Sequence, residues 1–147
     1  MLILTANDVT ALLPLADCTT AVEEAFRAHA LGQLPIPPGV LGHHVEHGGF
    51  HIKTAALAGS PGCFAAKVNA NFPGNPAAHG LPTIQGVIAL FELGTGRVLA
   101  VLDSIEITTL RTAAASAVAA KIWRCRMPVS SPSWALGSRA GPISGLS

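Results

Sequence analysis

Residues 67–121 decide the fold, and their three informative segments read KVNANFPGN (67–75), GLPTIQGVIALFELGTGRVLAVLDS (80–104) and EITTLRTAAASAVAAK (106–121). The first segment is an apolar, strand-like run that ends in a turn rich in Gly, Pro and Asn. The second predicts a β-hairpin whose two strands are joined by Gly94-Thr95-Gly96. The third predicts a long helix of small side chains that begins at the capping pair Asp103-Ser104.

The residues before this stretch add two helices and a second hairpin. Thr5 is placed to cap a short helix, and a helical apolar period runs from Leu15 to Leu31. After a proline-rich segment, residues 40–45 and 50–56 predict two strands around a turn at 46–49. The chain is therefore expected to be α+β, with a mixed, mostly antiparallel sheet flanked by helices and a long small-residue helix at the end.

Composition excludes several classes of protein. The 147 residues suit one domain, and 50% of them are hydrophobic while 12% are charged, which is ample material for a core. A net charge of +1 without a basic cluster argues against a nucleic-acid partner. No apolar run reaches the roughly 20 residues of a membrane span, and the first residues have no basic leader. The expected location is the cytoplasm, with neither nucleic acid nor membrane as a partner.

The three cysteines and the clustered histidines do not predict a metal centre. Cys18, Cys63 and Cys125 are widely spaced and odd in number, as expected of free thiols in a reducing compartment. His43, His44, His47 and His51 fall in the first hairpin, where histidines at strand spacing are able to bind a metal. No Asp or Cys joins these histidines in a recognisable ligand pattern, so no metal site is predicted.

Two lysines and one arginine are the candidates for chemistry. Lys53 and Lys67 are each a single charge in an apolar, strand-like run, so they either face a cleft or face water from an edge strand. Arg111 stands in the small-residue helix, where it is able to pair with Glu106 or Asp103. Its planar guanidinium is equally suited to a carboxylate or a phosphate. The residues alone leave these alternatives open.

The three quoted segments together resemble the ornithine cyclodeaminase/mu-crystallin family, and the similarity runs from the first helix to Lys121. The resemblance implies that residues 1–126 are a substrate-binding and dimerisation domain, which a Rossmann domain for NAD or NADP follows. Members of the family oxidise an amino acid at Cα or reduce an imine, and ornithine cyclodeaminase converts ornithine to proline and ammonia. A homodimer acting on a small amino-acid or imino-acid substrate is expected on this ground.

The resemblance also assigns site residues. Lys67 matches the active-site lysine that contacts the substrate and is the expected catalytic residue. Arg111 matches the arginine that binds the substrate carboxylate near the cofactor, and Thr83 and Thr112 match positions beside the cofactor. Lys53 is a further substrate-binding candidate because of its place in an apolar run. A bidentate arginine suits an α-carboxylate, and a nearby lysine disfavours the ammonium form of the reacting amine.

Two departures from the family pattern limit what the resemblance implies. Gly39 follows Pro37-Pro38 where the family often has a substrate-binding arginine, so the identity of the substrate stays open. Residues 127–147 form an irregular tail rich in Ser, Pro and Gly, where the Rossmann domain and its catalytic aspartate are expected. Binding of NAD and turnover by this chain alone are therefore in doubt. A non-catalytic mu-crystallin-like binding protein and a bare dimerisation module are the alternative functions.

The tail is open to a second explanation, a shifted reading frame. If the serines of residues 129–135 have TCN codons, the shifted codons spell an apolar, β-branched run followed by Gly. Such a run is typical of a first Rossmann strand that enters its glycine turn. The hypothesis is that residues 127–147 are the frameshifted start of a Rossmann domain, and AGY codons at these serines in the gene would end it.

Overall fold

The computed structural model describes residues 1–126. Its elements are β1 (Leu2–Leu4), α1 (Ala6–Leu12), α2 (Leu15–Ala30), β2 (Gly39–Val45), β3 (Gly48–Leu57), β4 (Cys63–Asn71), α3 (Asn75–His79), β5 (Ile84–Glu92), β6 (Val98–Asp103) and α4 (Ser104–Arg126). The predicted irregular tail and its proposed frameshift fall on residues 127–147, outside the described residues.

One six-stranded sheet carries the fold, in the order β1-β6-β5-β4-β3-β2. Strand β1 pairs with β6 in parallel, and every other neighbouring pair is antiparallel. Helices flank this sheet, so the predicted α+β class with a mixed, mostly antiparallel sheet is confirmed. The first hairpin turns at Glu46 and His47 alone, because Gly48 and Gly49 already pair with Val45 and His44.

Local capping explains where the helices begin. Thr5 and Asp8 form a capping box, in which Asp8 N donates to Thr5 Oγ1 at 3.3 Å and Thr5 N donates to Asp8 Oδ2 at 2.8 Å. Asp103 Oδ1 accepts from the backbone N–H groups of Ile105 and Glu106 at 2.8 and 3.1 Å, so Asp103 caps α4. Pro14 occupies the N-cap position of α2, immediately before the helix, with an extended ψ of 146°.

The core lies between one face of the sheet and the helices α1, α2 and α4. Helix α4 packs against α2, α1, β4 and β5, and it buries Ala114 and Val118 almost completely. Small side chains let this helix approach its neighbours closely, as its composition predicted. The buried side chains of the other elements are also small or medium-sized, and they include Val9, Cys18 and Ala100.

The opposite face of the sheet is apolar and has no helix over it within residues 1–126. Residues paired across antiparallel strands share a face, which places Leu41, Ile52, Val68 and Val87 in one row. Leu41 is 52% exposed and Val87 is 49% exposed. A row of β-branched and aliphatic side chains in water is typical of a surface that another chain covers.

Among residues 1–126, no helix combines the length and the hydrophobicity of a transmembrane segment.

Candidate active site

A cleft of about 220 Å³ lies between the sheet and the beginning of α4. Strands β3, β4 and β5 form its floor, and the second turn of α4 forms one wall. The lining residues are His51, Lys53, Lys67, Asn69, Asn71, Ile84, Thr108 and Arg111. The three cation candidates from the sequence therefore meet at one cavity, although they are far apart along the chain.

The sheet order settles how the two lysines are placed. Lys53 and Lys67 are directly opposite each other on β3 and β4, and both strands lie inside the sheet. The edge-strand explanation for these lysines is therefore wrong. Both face the side of the sheet that α4 crosses, with Lys67 half-buried and Lys53 more exposed.

A short hydrogen-bond chain holds Lys67 against α4. The ammonium of Lys67 donates to Thr108 Oγ1 at 2.5 Å, and the Thr108 hydroxyl donates to the carbonyl of Ser104 at 2.5 Å. The Thr108 hydroxyl therefore accepts a hydrogen bond from Lys67 through an oxygen lone pair and donates its own proton to the Ser104 carbonyl. Two further N–H donors of the ammonium remain for a bound molecule.

The surroundings of Lys67 disfavour its charge. Burial lowers the pKa of Lys67 below the ordinary value for lysine, and the positive charges of Arg111 and then Lys53 lower this pKa further. A lysine in this state gives up a proton more easily than a surface lysine does. Perturbed lysines in clefts are typical of functional sites.

The first turn of α4 is anchored to β4 by a buried polar contact. Ser104 is fully buried, and its hydroxyl donates to Asn69 Oδ1 at 2.9 Å. This contact fixes the start of the helix over β4, so that Thr108 lies one turn later and Arg111 lies one turn beyond Thr108. Gly86 of β5 permits the arrangement, because a Cβ there would collide with the Val68 carbonyl and with Asn69.

Arg111 is exposed at the rim of the cleft. None of the ion pairs within residues 1–126 includes it, so the pairing with Glu106 or Asp103 is not formed. Asp103 uses its carboxylate on the backbone N–H groups of the helix instead. The guanidinium of Arg111 is therefore placed to bind an anion in the cleft.

Thr83 and Thr112, the two threonines predicted beside the cofactor, are not among the residues that line the cleft. Thr83 immediately precedes β5, and its carbonyl accepts from the backbone N–H of Phe72 at 2.8 Å. Thr112 follows Arg111, and its hydroxyl donates to the Thr108 carbonyl at 2.7 Å. Both residues stay predictions for contacts with a cofactor.

Five lining residues were not predicted as site residues, the apolar Ile84 and four polar ones: His51, Asn69, Asn71 and Thr108. Of the polar residues, the first three left a signal in the sequence, because side chains two apart on a strand share a face. His51 stands two residues before Lys53, and the asparagines follow Lys67 at that spacing. Thr108 stands three residues before Arg111, which is the spacing of neighbours on a helix surface.

The remaining histidines and the larger cavity offer less chemistry. No group of three or more His, Cys, Asp or Glu side chains among the described residues is arranged to hold a metal ion. A second cavity, of about 700 Å³, is lined by His47, Phe72, Gly74, Asn75, Ala78 and His79. Its lining residues include no Lys, Arg, Asp or Glu, whereas charged and amide groups converge in the smaller cleft. The smaller cleft is therefore the candidate active site.

The fold and the cleft define an α+β domain with a cavity between the sheet and a helix that Lys53, Lys67 and Arg111 line. The sequence profile of the ornithine cyclodeaminase/mu-crystallin family matches residues 1–126. The chain belongs to this family, which confirms the resemblance. The family consists of NAD-dependent enzymes related to ornithine cyclodeaminase, imino-acid reductases and alanine dehydrogenase.

Individual relatives agree with this assignment. The alanine dehydrogenase of Archaeoglobus fulgidus is 42% identical over 120 residues, which are 82% of this chain and 36% of that enzyme. A solved archaeal alanine dehydrogenase dimer with bound NAD has a TM-score of 0.76 and 39% identity, and it matches 82% of this chain and 36% of its own.

The Δ1-pyrroline-2-carboxylate reductase of Thermococcus litoralis, solved with NADH and L-proline, has a TM-score of 0.72 and 30% identity over 82% of this chain and 37% of its own. The chain thus spans little more than a third of the length of these relatives.

Proposed function

We propose that residues 1–126 are the substrate-binding and dimerisation domain of an NAD(P)-dependent enzyme that acts at the α-carbon of an amino or imino acid. The observation that carries the proposal is the convergence of Lys67 and Arg111 on one cleft. One of these cations is half-buried with a lowered pKa, and the other is exposed without an acidic partner among the described residues. A carboxylate and an amine are the two groups that every α-amino acid brings.

The proposed roles of Arg111 and Lys67 follow from the chemistry of their side chains. Arg111 binds the α-carboxylate through its two parallel N–H donors and so orients the α-carbon. Lys67 lies at the reacting nitrogen and disfavours its ammonium form, because a second positive charge nearby is repulsive. Loss of hydride from Cα is easier when the amine is neutral. In the reverse direction, the lysine donates a hydrogen bond to the imine.

The cofactor supplies the acceptor or donor of hydride when it is bound. Arg111 and Thr112 are both exposed on α4, so a nicotinamide approaching from a second domain is able to reach them. Thr83 is proposed beside them on the same side of the molecule. Lys53 completes the substrate-binding set from the floor of the cleft.

Within this class, dehydrogenation or imine reduction is favoured over conversion of ornithine to proline and ammonia. Ornithine carries a second ammonium group, which an acidic side chain would have to receive. The residues that line the cleft include no Asp or Glu, and three of them are Lys or Arg. Two of the relatives are named a dehydrogenase and a reductase, and others are named cyclodeaminases, so the preference rests on the charges of the cleft.

Dimerisation is proposed through the uncovered apolar face of the sheet. The row that includes Leu41, Val68 and Val87 is exposed to water in a single copy, and the archaeal alanine dehydrogenase was solved as a dimer.

A cytoplasmic location is proposed as well. Cys18 and Cys63 are both free thiols, as a reducing compartment favours.

Calorimetric titration of the chain with L-alanine and with pyruvate tests the proposal. We expect binding that Arg111→Ala weakens by roughly ten- to a hundredfold, the loss of a charge-assisted bidentate contact of about 1.5–3 kcal/mol. Arg111→Lys recovers part of the affinity, since an ammonium lacks the planar fork.

Arg97→Ala is the matched control for that titration, because Arg97 pairs with Glu92 at the distant hairpin and should leave binding unchanged. Equal losses in the Arg111 and Arg97 variants would remove Arg111 from the site.

A further inference from the structure

The cleft holds more positive charge than one α-carboxylate balances. Lys53, Lys67 and Arg111 line a cavity of only about 220 Å³. No Asp or Glu is among its lining residues, and the ion pairs within residues 1–126 include none of these three cations. In the proposed reaction Arg111 binds the α-carboxylate and Lys67 lies at the nitrogen. Lys53 belongs to the proposed substrate-binding set, but an amino acid with one carboxylate has no further group for it to bind.

The position of Lys53 makes its charge unusual. It is directly opposite Lys67 on the neighbouring strand, and like charges at that position destabilise a sheet. Each of the two lysines also has a polar neighbour without an acidic group two residues along its strand, His51 on β3 and Asn69 on β4. The floor of the cleft therefore presents hydrogen-bond donors and positive charge without compensation, which is the environment that a second anionic group needs.

We infer, resting on the proposed function, that the substrate is an α-amino or α-imino acid with a second carboxylate, and that Lys53 binds this second carboxylate. Side chains directly opposite on antiparallel strands have Cβ atoms about 5 Å apart, so the second carboxylate must lie only a few bonds from the reacting nitrogen. A four-carbon skeleton such as that of aspartate meets this requirement and suits a cavity of this size.

The test compares ligands that differ by one carboxylate, using calorimetric titration of the full 147-residue chain at low ionic strength. The matched pairs are L-aspartate with L-alanine, and succinate with propionate. The dicarboxylate of each pair should bind about tenfold more tightly, as one extra charge-assisted contact at an exposed ammonium predicts. Lys53→Met should bring that ratio close to one, whereas Lys53→Arg should keep most of it.

Lys121→Met is the control for the loss of one positive charge, because Lys121 pairs with Glu23 on α2 away from the cleft. It should leave the tenfold ratio intact. Circular dichroism of each variant shows whether it is folded, and Lys53→Arg keeps the test decisive if the methionine variant is not.

Three results would overturn the inference, and they differ in what they say of the proposed function. If alanine and aspartate bind equally and Arg111→Ala weakens both, the domain binds amino acids but has no subsite for a second carboxylate. If pyrophosphate binds more tightly than aspartate and depends on Lys53, the extra charge serves a phosphate group. If none of these ligands binds, the proposed function of the cleft fails together with the inference.

Discussion

The lysine at the centre of the cleft is held in a state that costs the folded protein stability. Burial and the charges of Arg111 and Lys53 lower the pKa of Lys67, so the folded state binds this proton less tightly than the unfolded state does. The cost is fully present below the lowered pKa. It disappears as the pH rises from there to the ordinary value for lysine.

Lys67→Met should therefore make the domain more stable at pH 7 and bring less benefit at pH 10. The gain at neutral pH should stay below about 1 kcal/mol, because solvent screens a charge that is only half-buried. Thr108 keeps the Ser104 carbonyl as its partner, so the substitution leaves no buried hydroxyl unsatisfied.

Urea unfolding at the two pH values measures the difference for Lys67→Met. Lys121→Met, which removes a surface ion pair with Glu23, should show no such gain. A methionine variant that is less stable at pH 7 would mean that the lysine stabilises the fold.

Individual site residues were predictable from sequence only where a charge interrupts an apolar run. Lys53, Lys67 and Arg111 met that condition, and the cleft contains all three. Ser104 did not, because its importance comes from its contact with Asn69, which lies 35 positions away along the chain. Whether Lys53 faces a cleft or water depends on the order of the strands in the sheet, and the residues around Lys53 do not specify that order.

The start of α4 is the element on which the geometry of the site depends. Asp103 caps two backbone N–H groups there, and the helix then places Thr108 and Arg111 over the strands. Asp103→Ala should lower the free energy of unfolding by about 1 kcal/mol, the usual effect of losing an N-cap.

Asp103→Asn should restore most of the stability lost in Asp103→Ala, because asparagine caps nearly as well as aspartate. Asp17→Ala is the control, since Asp17 is an exposed acid in the first turn of α2 and not its N-cap. Urea denaturation compares the variants, and equal losses for Asp103→Ala and Asp17→Ala would show that the cap is unimportant.

Close contact between β4 and β5 is a second requirement at this scale. A Cβ at Gly86 would collide with the Val68 carbonyl and lie 2.9 Å from the Asn69 Cα. Gly86→Ala should cost about 1–3 kcal/mol and displace Asn69 from Ser104. The matched control is Gly94→Ala, because a Cβ at Gly94 meets nothing within 4 Å.

Thermal unfolding of the two alanine variants gives the comparison. If Gly86→Ala is as stable as Gly94→Ala, β4 and β5 are able to move apart at no cost in stability. The hydrogen bond between Ser104 and Asn69 would then not depend on the close contact of these strands.

Helices and hairpins followed from sequence, while their boundaries and arrangement did not. The capping box at Thr5 and the turn at residues 94–96 are local chemistry, and both formed as expected. The turn predicted at the end of residues 67–75 leads directly into helix α3, which has Pro76 near its start and is not among the predicted helices. Its five residues are too few for a periodic pattern to reveal.

At the scale of the whole molecule, the uncovered sheet face predicts a dimer. An apolar row in water costs free energy that a second copy removes by covering it. Val87→Lys places a charge at one end of this row and should shift the protein to monomers at tens of micromolar. Sedimentation velocity measures the change.

Leu12→Lys is the control for the sedimentation experiment, because Leu12 is an apolar residue on α1 that is more exposed than Val87 and lies outside the row. A clean monomer of the unchanged chain at the same concentration would contradict the dimer. Which face of the sheet stays uncovered depends on where α4 packs, and the sequence of the strands alone does not contain this information.

We propose that the cleft around Lys67 is the reaction site of an amino- or imino-acid oxidoreductase. The most direct measurement uses a chimera in which residues 1–126 replace the matching segment of the Archaeoglobus fulgidus alanine dehydrogenase. NADH formation is followed with alanine, aspartate and proline. Lys67→Met should lower kcat by about a hundredfold or more with little change in KM, while Lys121→Met leaves both unchanged. Full turnover by the Lys67→Met chimera, or a folded chimera inactive on all three amino acids, would contradict the claim.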